Sequence, residues 1–180
     1  MTIHTDRLIL RPWEESDAPE LYRHACDPDV GPPAGWFPHT DVENSREIIR
    51  TILSKEGTYA VVPKSVGLPV GNIAIWEASR SEGFEGQKQM EIGYWLGRAY
   101  WGQGIIPEAV KALLEYAFQV EHCDVIWCGY FDGNEKSRRV QEKCGFMYHH
   151  TKPSIDTRFG KQDLHITYLT RKRWMELAEK

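Results

Sequence analysis

Residues 90–109 constrain this chain more than any other stretch. Residues 90–96, Met-Glu-Ile-Gly-Tyr-Trp-Leu, have the apolar content of a strand. Gly102 and Gly104 then break the chain, and Pro107 opens a long run with helical apolar spacing that reaches about residue 121. A strand that turns through glycines into a helix brings backbone close to whatever lies above the turn, because glycine takes positive φ without penalty. The N–H groups of such a turn and of the first helical turn have no partner within the helix, and the helix dipole adds positive potential there. The physical expectation is a phosphate-bearing ligand. No Lys-Ser/Thr follows the glycines, which excludes a P-loop, and no G-x-G-x-x-G is present, which excludes a dinucleotide fingerprint. On spacing alone, an anion site and a tight turn that binds nothing both remain open.

The rest of the chain alternates short strands and helices. Arg7-Leu-Ile-Leu-Arg-Pro12 predicts a strand, and Asp17 with Glu20 around Pro19 predicts a capped helix to residue 25. Residues 27–39 hold four prolines and two glycines and predict a loop. Thr40 and Glu43 predict a helix cap, with the helix reaching residue 54. Residues 59–62 and 70–76 predict a hairpin turning near Gly67, and residues 79–88 a polar loop. Residues 125–131 predict a buried strand. Asn134 is a good N-cap for a helix ending at Gly145. Strands near 147–151 and 165–169 and a helix from Arg171 complete the chain. This order predicts an α/β fold with a mixed sheet, not a doubly wound parallel one.

Composition excludes several classes. The 180 residues suit one domain, residues 1–180, and 41% hydrophobic with 27% charged content disfavours disorder or a membrane protein. A net charge of −4 argues against a nucleic-acid partner and is compatible with a cationic substrate. The short basic run Arg171-Lys172-Arg173 reads as a solvated helix start. Cys26, Cys123, Cys128 and Cys144 form no C-x-x-C pair and are expected as reduced thiols of a cytoplasmic protein. Leu8-Ile9-Leu10 is far too short for a signal segment or a membrane span. His39, His122, His149, His150 and His165 show no metal spacing. As neighbours on a strand, His149 and His150 are expected on opposite faces, so no metal is assigned.

Trp101-Gly-Gln-Gly104-Ile-Ile106 resembles the acyl-CoA binding motif of the GNAT acetyltransferase superfamily, Q/R-x-x-G-x-G/A, and departs from it at the first and last positions. Tyr100-Trp-Gly-Gln-Gly-Ile105, followed by Glu108-Ala109, is similar to the RimJ/RimL-like branch, which includes acetyltransferases of ribosomal-protein N-termini. The stretch Asn134-Glu-Lys-Ser137-Arg-Arg-Val-Gln-Glu-Lys-Cys-Gly145-Phe146 resembles that branch's second motif. Thr5-Asp-Arg-Leu-Ile-Leu-Arg-Pro12 at the start and residues 168–174 at the end extend the resemblance over nearly the whole chain.

The resemblance implies a mostly antiparallel central sheet with one splayed strand pair, flanked by helices. It implies acetyl-CoA as co-substrate and transfer of acetyl to a primary amine, first of all a protein or peptide N-terminal α-amine. A small-molecule amine such as a polyamine or antibiotic, or a non-catalytic acyl-CoA-binding module, are the alternatives. The cofactor would lie on Tyr94, Trp95 and Leu96, on Trp101, Gly102, Gln103, Gly104, Ile105 and Ile106, and near Asn134 and Ser137. Gly93 would mark a bulge or a close ligand approach, and an N–H near Tyr94 would polarise the thioester carbonyl. Glu91 is the candidate base, with a solvated strand-end carboxylate as the plain alternative. Gln141 stands where many members carry a tyrosine, so Ser137 is the candidate donor to the leaving sulfur, with Tyr94 and Tyr130 as lesser ones. Trp36 and Phe37, in the proline-rich loop, are expected either to contact the acceptor or to tuck into the core. A homodimer is compatible with all of this.

Overall fold

The computed structural model describes residues 1–79 and 82–179. Two compact units are distinguished, Met1–Ala74 with Tyr94–Ala109, and Ile75–Gly93 with Val110–Lys180. The eight strands are hydrogen-bonded in the order β1-β2-β3-β4-β5-β6-β8-β7, and every described pairing is antiparallel except that of β5 with β6. The expected mixed, mostly antiparallel α/β architecture is therefore present.

In the first unit, β1 (Ile3–His4), β2 (Leu8–Arg11) and β3 (Thr58–Pro63) form a meander with β4 (Gly71–Glu77). Helices α1 (Ala18–Ala25) and α2 (Val42–Ile48) cover it, the latter followed by a wider turn over Ile49–Leu53. Their apolar stripes meet the strands through Trp13, Leu21, Ile49, Leu53 and Val62. Both predicted caps moved. Asp17 does not cap α1; its buried carboxylate binds the Arg11 guanidinium at 2.7 and 2.8 Å and accepts from the Glu14 amide. A charged pair one strand away outcompetes the local cap, because a buried carboxylate must be compensated. Asp41, not Thr40, caps α2 by accepting from the Asn44 amide at 2.7 Å.

Among the described residues, the second unit carries the one parallel pair. β5 (Gln89–Leu96) leads through α3 (Ile105–Glu115) to β6 (Val125–Phe131). The two strands pair only at Gln89↔Val125, Met90↔Ile126 and Glu91↔Trp127. On its other edge β6 pairs with β8 (Gly160–Thr170) along its whole length, from Val125↔Thr170 to Phe131↔Leu164, whereas its described pairing with β5 ends at Trp127. α4 (Glu135–Lys143) follows β6, and α5 (Arg171–Ala178) ends the chain. Helix α3 begins at Ile105, before Pro107, which is tolerated in the first turn because its missing N–H has no partner there. The predicted strands at 147–151 and 165–169 prove to be parts of a longer hairpin, β7 (Met147–Thr157) with β8. Its outer residues are polar and exposed, so no alternation betrayed them.

A bulge lies between Tyr148 and His150 on β7. It overturns the expectation that His149 and His150 face opposite sides, since their Nδ1 atoms are 2.7 Å apart. An extra residue opposite a single partner breaks the two-residue period. The predicted loop at 79–88 includes Arg80 and Ser81, which lie outside the described residues.

Gly71 leaves no room for a side chain. A Cβ there would stand 2.5 Å from the backbone oxygen of Trp95. We expect Gly71→Ala to destabilise the protein by about 1–3 kcal/mol, the range for overpacking against an unyielding neighbour, measured as a fall in denaturant midpoint. An unchanged midpoint would show that β4 and β5 are not held this close.

Candidate active site

Within the first unit the glycine turn is held from the inside by side chains. The Trp101 indole donates to the Leu96 carbonyl at 2.8 Å, and the Gln103 amide to the Ala99 carbonyl at 3.0 Å. Arg7 donates to the Gln103 carbonyl at 3.0 Å and pairs with Glu108 at 2.6 Å. Glu108 also accepts from the Thr5 hydroxyl at 2.6 Å and the Arg7 amide at 2.9 Å. Gly102 and Gly104 both take positive φ, 76° and 75°, and a Cβ on Gly102 would meet open space. So the glycines are required by backbone conformation, and the space beside Gly102 suits a close approach to the chain. The Ile105 and Ile106 side chains are buried. They can serve a ligand only through their amides, which lie in the first turn of α3 and point off its N-terminal end. An anion fits such a cradle, with the helix dipole adding to the N–H groups.

The first motif position thus does a different job here. Where the motif has Gln or Arg, Trp101 braces the turn against the end of β5. The sequence also pointed to Glu108 only as part of a pattern. Its clamp on Thr5 and Arg7 pins the first strand region to the start of α3, and a contact about a hundred residues apart in sequence leaves no local signature.

In the second unit, Glu91 occupies the last paired position of β5, opposite Trp127. Trp127 is fully buried, donates from its indole to Gln89 at 2.8 Å, and packs against Phe84, Tyr168 and His149. Gly93 bears the Trp76 ring, which a Cβ would meet at 2.9 Å, so close packing explains that glycine. Asn134 caps α4 as expected, its side-chain oxygen accepting from the Ser137 amide at 3.2 Å. Gly145, with φ of 89°, ends the helix.

Gln141, which the sequence offered only as the residue in place of a tyrosine, has a structural task of its own. It is 1% exposed, and its amide nitrogen donates to the Ser137 hydroxyl and to the Gly129 carbonyl, each at 3.1 Å. Its oxygen accepts from the Thr167 hydroxyl at 2.7 Å. A donor arriving at Ser137 Oγ uses an oxygen lone pair and does not consume the hydroxyl's proton. The i, i+4 spacing of Ser137 and Gln141 was the available signal. Tyr130 stacks on His165 with ring centroids 4.9 Å apart, and burial pushes its phenol up, so it stays protonated at neutral pH.

The aromatic pair of the proline-rich loop divides. Trp36 packs edge-on against Trp95 at 5.6 Å and borders the apolar cluster, whereas Phe37 is exposed. The Trp95 side chain is therefore engaged with Trp36.

Partial burial acts to raise the Glu108 carboxyl, but the hydrogen bonds from Thr5 and Arg7 outweigh it and leave it below the ordinary value. A depressed carboxyl contributes stability above its unfolded pKa and loses it as pH falls through the folded one. We expect Glu108→Gln to be less stable than wild type at pH 7, by under about 1 kcal/mol for a partly exposed pair. The two proteins should converge in acid, below the usual glutamate range, when followed by denaturant melts. A gap that persists at low pH would assign the effect to packing.

A family model described as an acetyltransferase (GNAT) domain matches residues 7–147. An uncharacterized N-acetyltransferase, p20 of Bacillus licheniformis, is 35% identical over 122 residues, 65% of this chain and 66% of that protein. In fold, the chain is similar to a GNAT-family acetyltransferase from Bacillus anthracis, with a TM-score of 0.84 at 22% identity over 96% of this chain and 99% of the other. It is also similar to RimL, a ribosomal L7/L12 α-N-protein acetyltransferase in complex with coenzyme A, with a TM-score of 0.76 at 19% identity over 94% and 98% of the two chains. A strand that parts from its parallel neighbour, a glycine turn that opens a helix, and a match over most of the length together place the chain in the GNAT acetyltransferase family.

Proposed function

We propose that residues 1–180 act as one catalytic domain that moves an acetyl group from acetyl-CoA to a protein N-terminal α-amine. The observation that carries this reading is the end of parallel pairing after Glu91↔Trp127, with β5 continuing to Leu96 and into the glycine turn. The α-amine is favoured by the fold likeness to RimL, whose described substrate is such an amine. When bound, acetyl-CoA supplies an acyl group activated as a thioester. The amides of Gly102 to Ile106 would hold its pyrophosphate, with Trp101 and Gln103 bracing them. The backbone of Tyr94, Trp95 and Leu96 would align the pantetheine arm, and an N–H near Tyr94 would polarise the thioester carbonyl.

An amine attacks only when neutral, and an α-amine has a pKa of about 7.7–8.0 against about 10.4 for lysine. Glu91 would accept the proton the amine must lose, directly or through a water. As the C–N bond forms and the C–S bond breaks, the Ser137 hydroxyl would donate a hydrogen bond to the departing thiolate, which takes its proton from solvent while the amine's proton leaves through Glu91. Gln141, donating to Ser137 Oγ, would keep that hydroxyl oriented, while Asn134 holds the helix start beneath it. Phe37, exposed where Trp36 is packed in, would be the member of the pair that meets the acceptor.

An assay of CoA release against a panel of peptides and free amines tests this reading. Turnover with peptides and none with polyamines or lysine is expected; turnover confined to small amines would overturn the acceptor class, and no turnover would leave only a binding module. Glu91→Gln should lose rate chiefly at low pH, by about 10²–10⁴-fold, and recover as pH rises and the amine deprotonates itself. Ser137→Ala should lose rate at every pH with acetyl-CoA affinity nearly kept. A wild-type pH profile in Glu91→Gln would remove that residue from the mechanism, and full activity in Ser137→Ala would do the same for the serine. In calorimetry, Gly104→Glu should abolish CoA binding, because its carboxylate would repel the pyrophosphate; undiminished affinity in the folded variant would show that the phosphates lie elsewhere.

A further inference from the structure

The bulge on β7 does more than break a strand period. It turns the imidazoles of His149 and His150 toward each other, with 2.7 Å between their Nδ1 atoms. Two bare lone pairs at that separation repel, so the pair must share a proton or a cation. The Glu82 carboxylate approaches His150 from its other ring nitrogen, with Oε2 3.7 Å from Nε2. One donor atom from each of Glu82, His149 and His150 lies within 4.8 Å of the others, and among the described residues no other such trio of His, Cys, Asp and Glu occurs.

The surroundings keep these donors beside one another. The His149 ring stands edge-on to Trp127 at 5.2 Å and to Tyr168 at 5.4 Å, and Trp127 is fully buried. Lys152 donates to Glu82 Oε1 at 2.9 Å, which fixes the carboxylate with its other oxygen toward His150. His149 is exposed, so an ion can enter and keep water in its remaining positions.

We propose that Glu82, His149 and His150 bind a divalent transition-metal ion. Two imidazole nitrogens and one carboxylate oxygen are the donor set of open zinc-type sites, with bonds of about 2.0–2.2 Å. Side-chain rotations that open the two nitrogens to about 3 Å and bring the carboxylate in complete the set. Nitrogen-rich donors favour Zn²⁺, Co²⁺, Ni²⁺ or Cu²⁺ over Mg²⁺ and Ca²⁺. Each neutral imidazole keeps its proton on the nitrogen that does not bind the metal. The Lys152 charge offsets that of Glu82, which makes the affinity moderate and the site exchangeable. This inference does not depend on the proposed acetyl transfer.

The test is a calorimetric titration of the intact protein with Zn²⁺, with Co²⁺ absorption as a second probe of nitrogen coordination. One equivalent should bind with saturation well below about 1 mM, unaffected by excess Mg²⁺. His149→Ala and His150→Ala should each weaken binding about tenfold or more, the least that loss of a ligand costs. His4→Ala, far along the sequence on exposed β1, should leave it unchanged. If His149→Ala unfolds, His149→Phe keeps a ring against Trp127 while removing both nitrogens. Absence of saturable binding, or undiminished affinity in either folded histidine variant, would overturn the site.

Discussion

Parallel strands exchange evenly spaced backbone hydrogen bonds as long as they stay about 4.8 Å apart, and β5 and β6 do so over only three residue pairs. β6 is held by β8 on its other edge along its whole length. β5 is held along its other edge, where Ala78 donates to Gln89 at one end and Gly97 to Val70 at the other. Gly71 keeps that contact tight by having no side chain. Much else is set by where the parallel ladder stops. Glu91 sits at its last rung, and the segment beyond leads into the glycine turn.

The turn illustrates how side chains can fix a course of backbone. Trp101, Gln103 and Arg7 each donate to a carbonyl of the turn or its approach. Ile105 and Ile106 bury their side chains and anchor the start of α3. The side chains thus fix the chain's course and leave the amides of the turn at the helix start. This is why a tryptophan can stand at a motif position that usually carries a polar residue. The requirement is a rigid turn, and an indole hydrogen-bonded to a strand-end carbonyl meets it.

In the second unit one buried polar side chain organises α4 against the sheet. A buried amide left unbonded costs a few kcal/mol, and Gln141 satisfies its groups on β6, on Thr167 of β8 and on Ser137. Those bonds fix the rotation of α4 and with it the position of Ser137. The tyrosine expected from the family pattern is not needed for that task. The same unit shows how one extra residue in a strand can gather groups that strict alternation would separate, as the bulge does for His149 and His150.

The sequence alone determined the order of elements, the strand–glycine–helix passage and the caps at Asn134 and Gly145. Each of these depends on neighbours a few residues apart, and local geometry decides them. It also carried Glu91 and Ser137 as candidates, through motif position. It did not determine that Asp17 would bind Arg11 and leave α1 without its cap, that Glu108 would clamp Thr5 and Arg7, or that Trp36 would turn inward while Phe37 stays out. Nor did it reveal the length of the last hairpin, whose outer half is polar on both faces. Most of these outcomes rest on which partners packing brings together, some of them about a hundred residues apart in the chain. Buried charge and amide groups take whichever partner the packed structure brings within about 3 Å, and only the tertiary structure makes that choice.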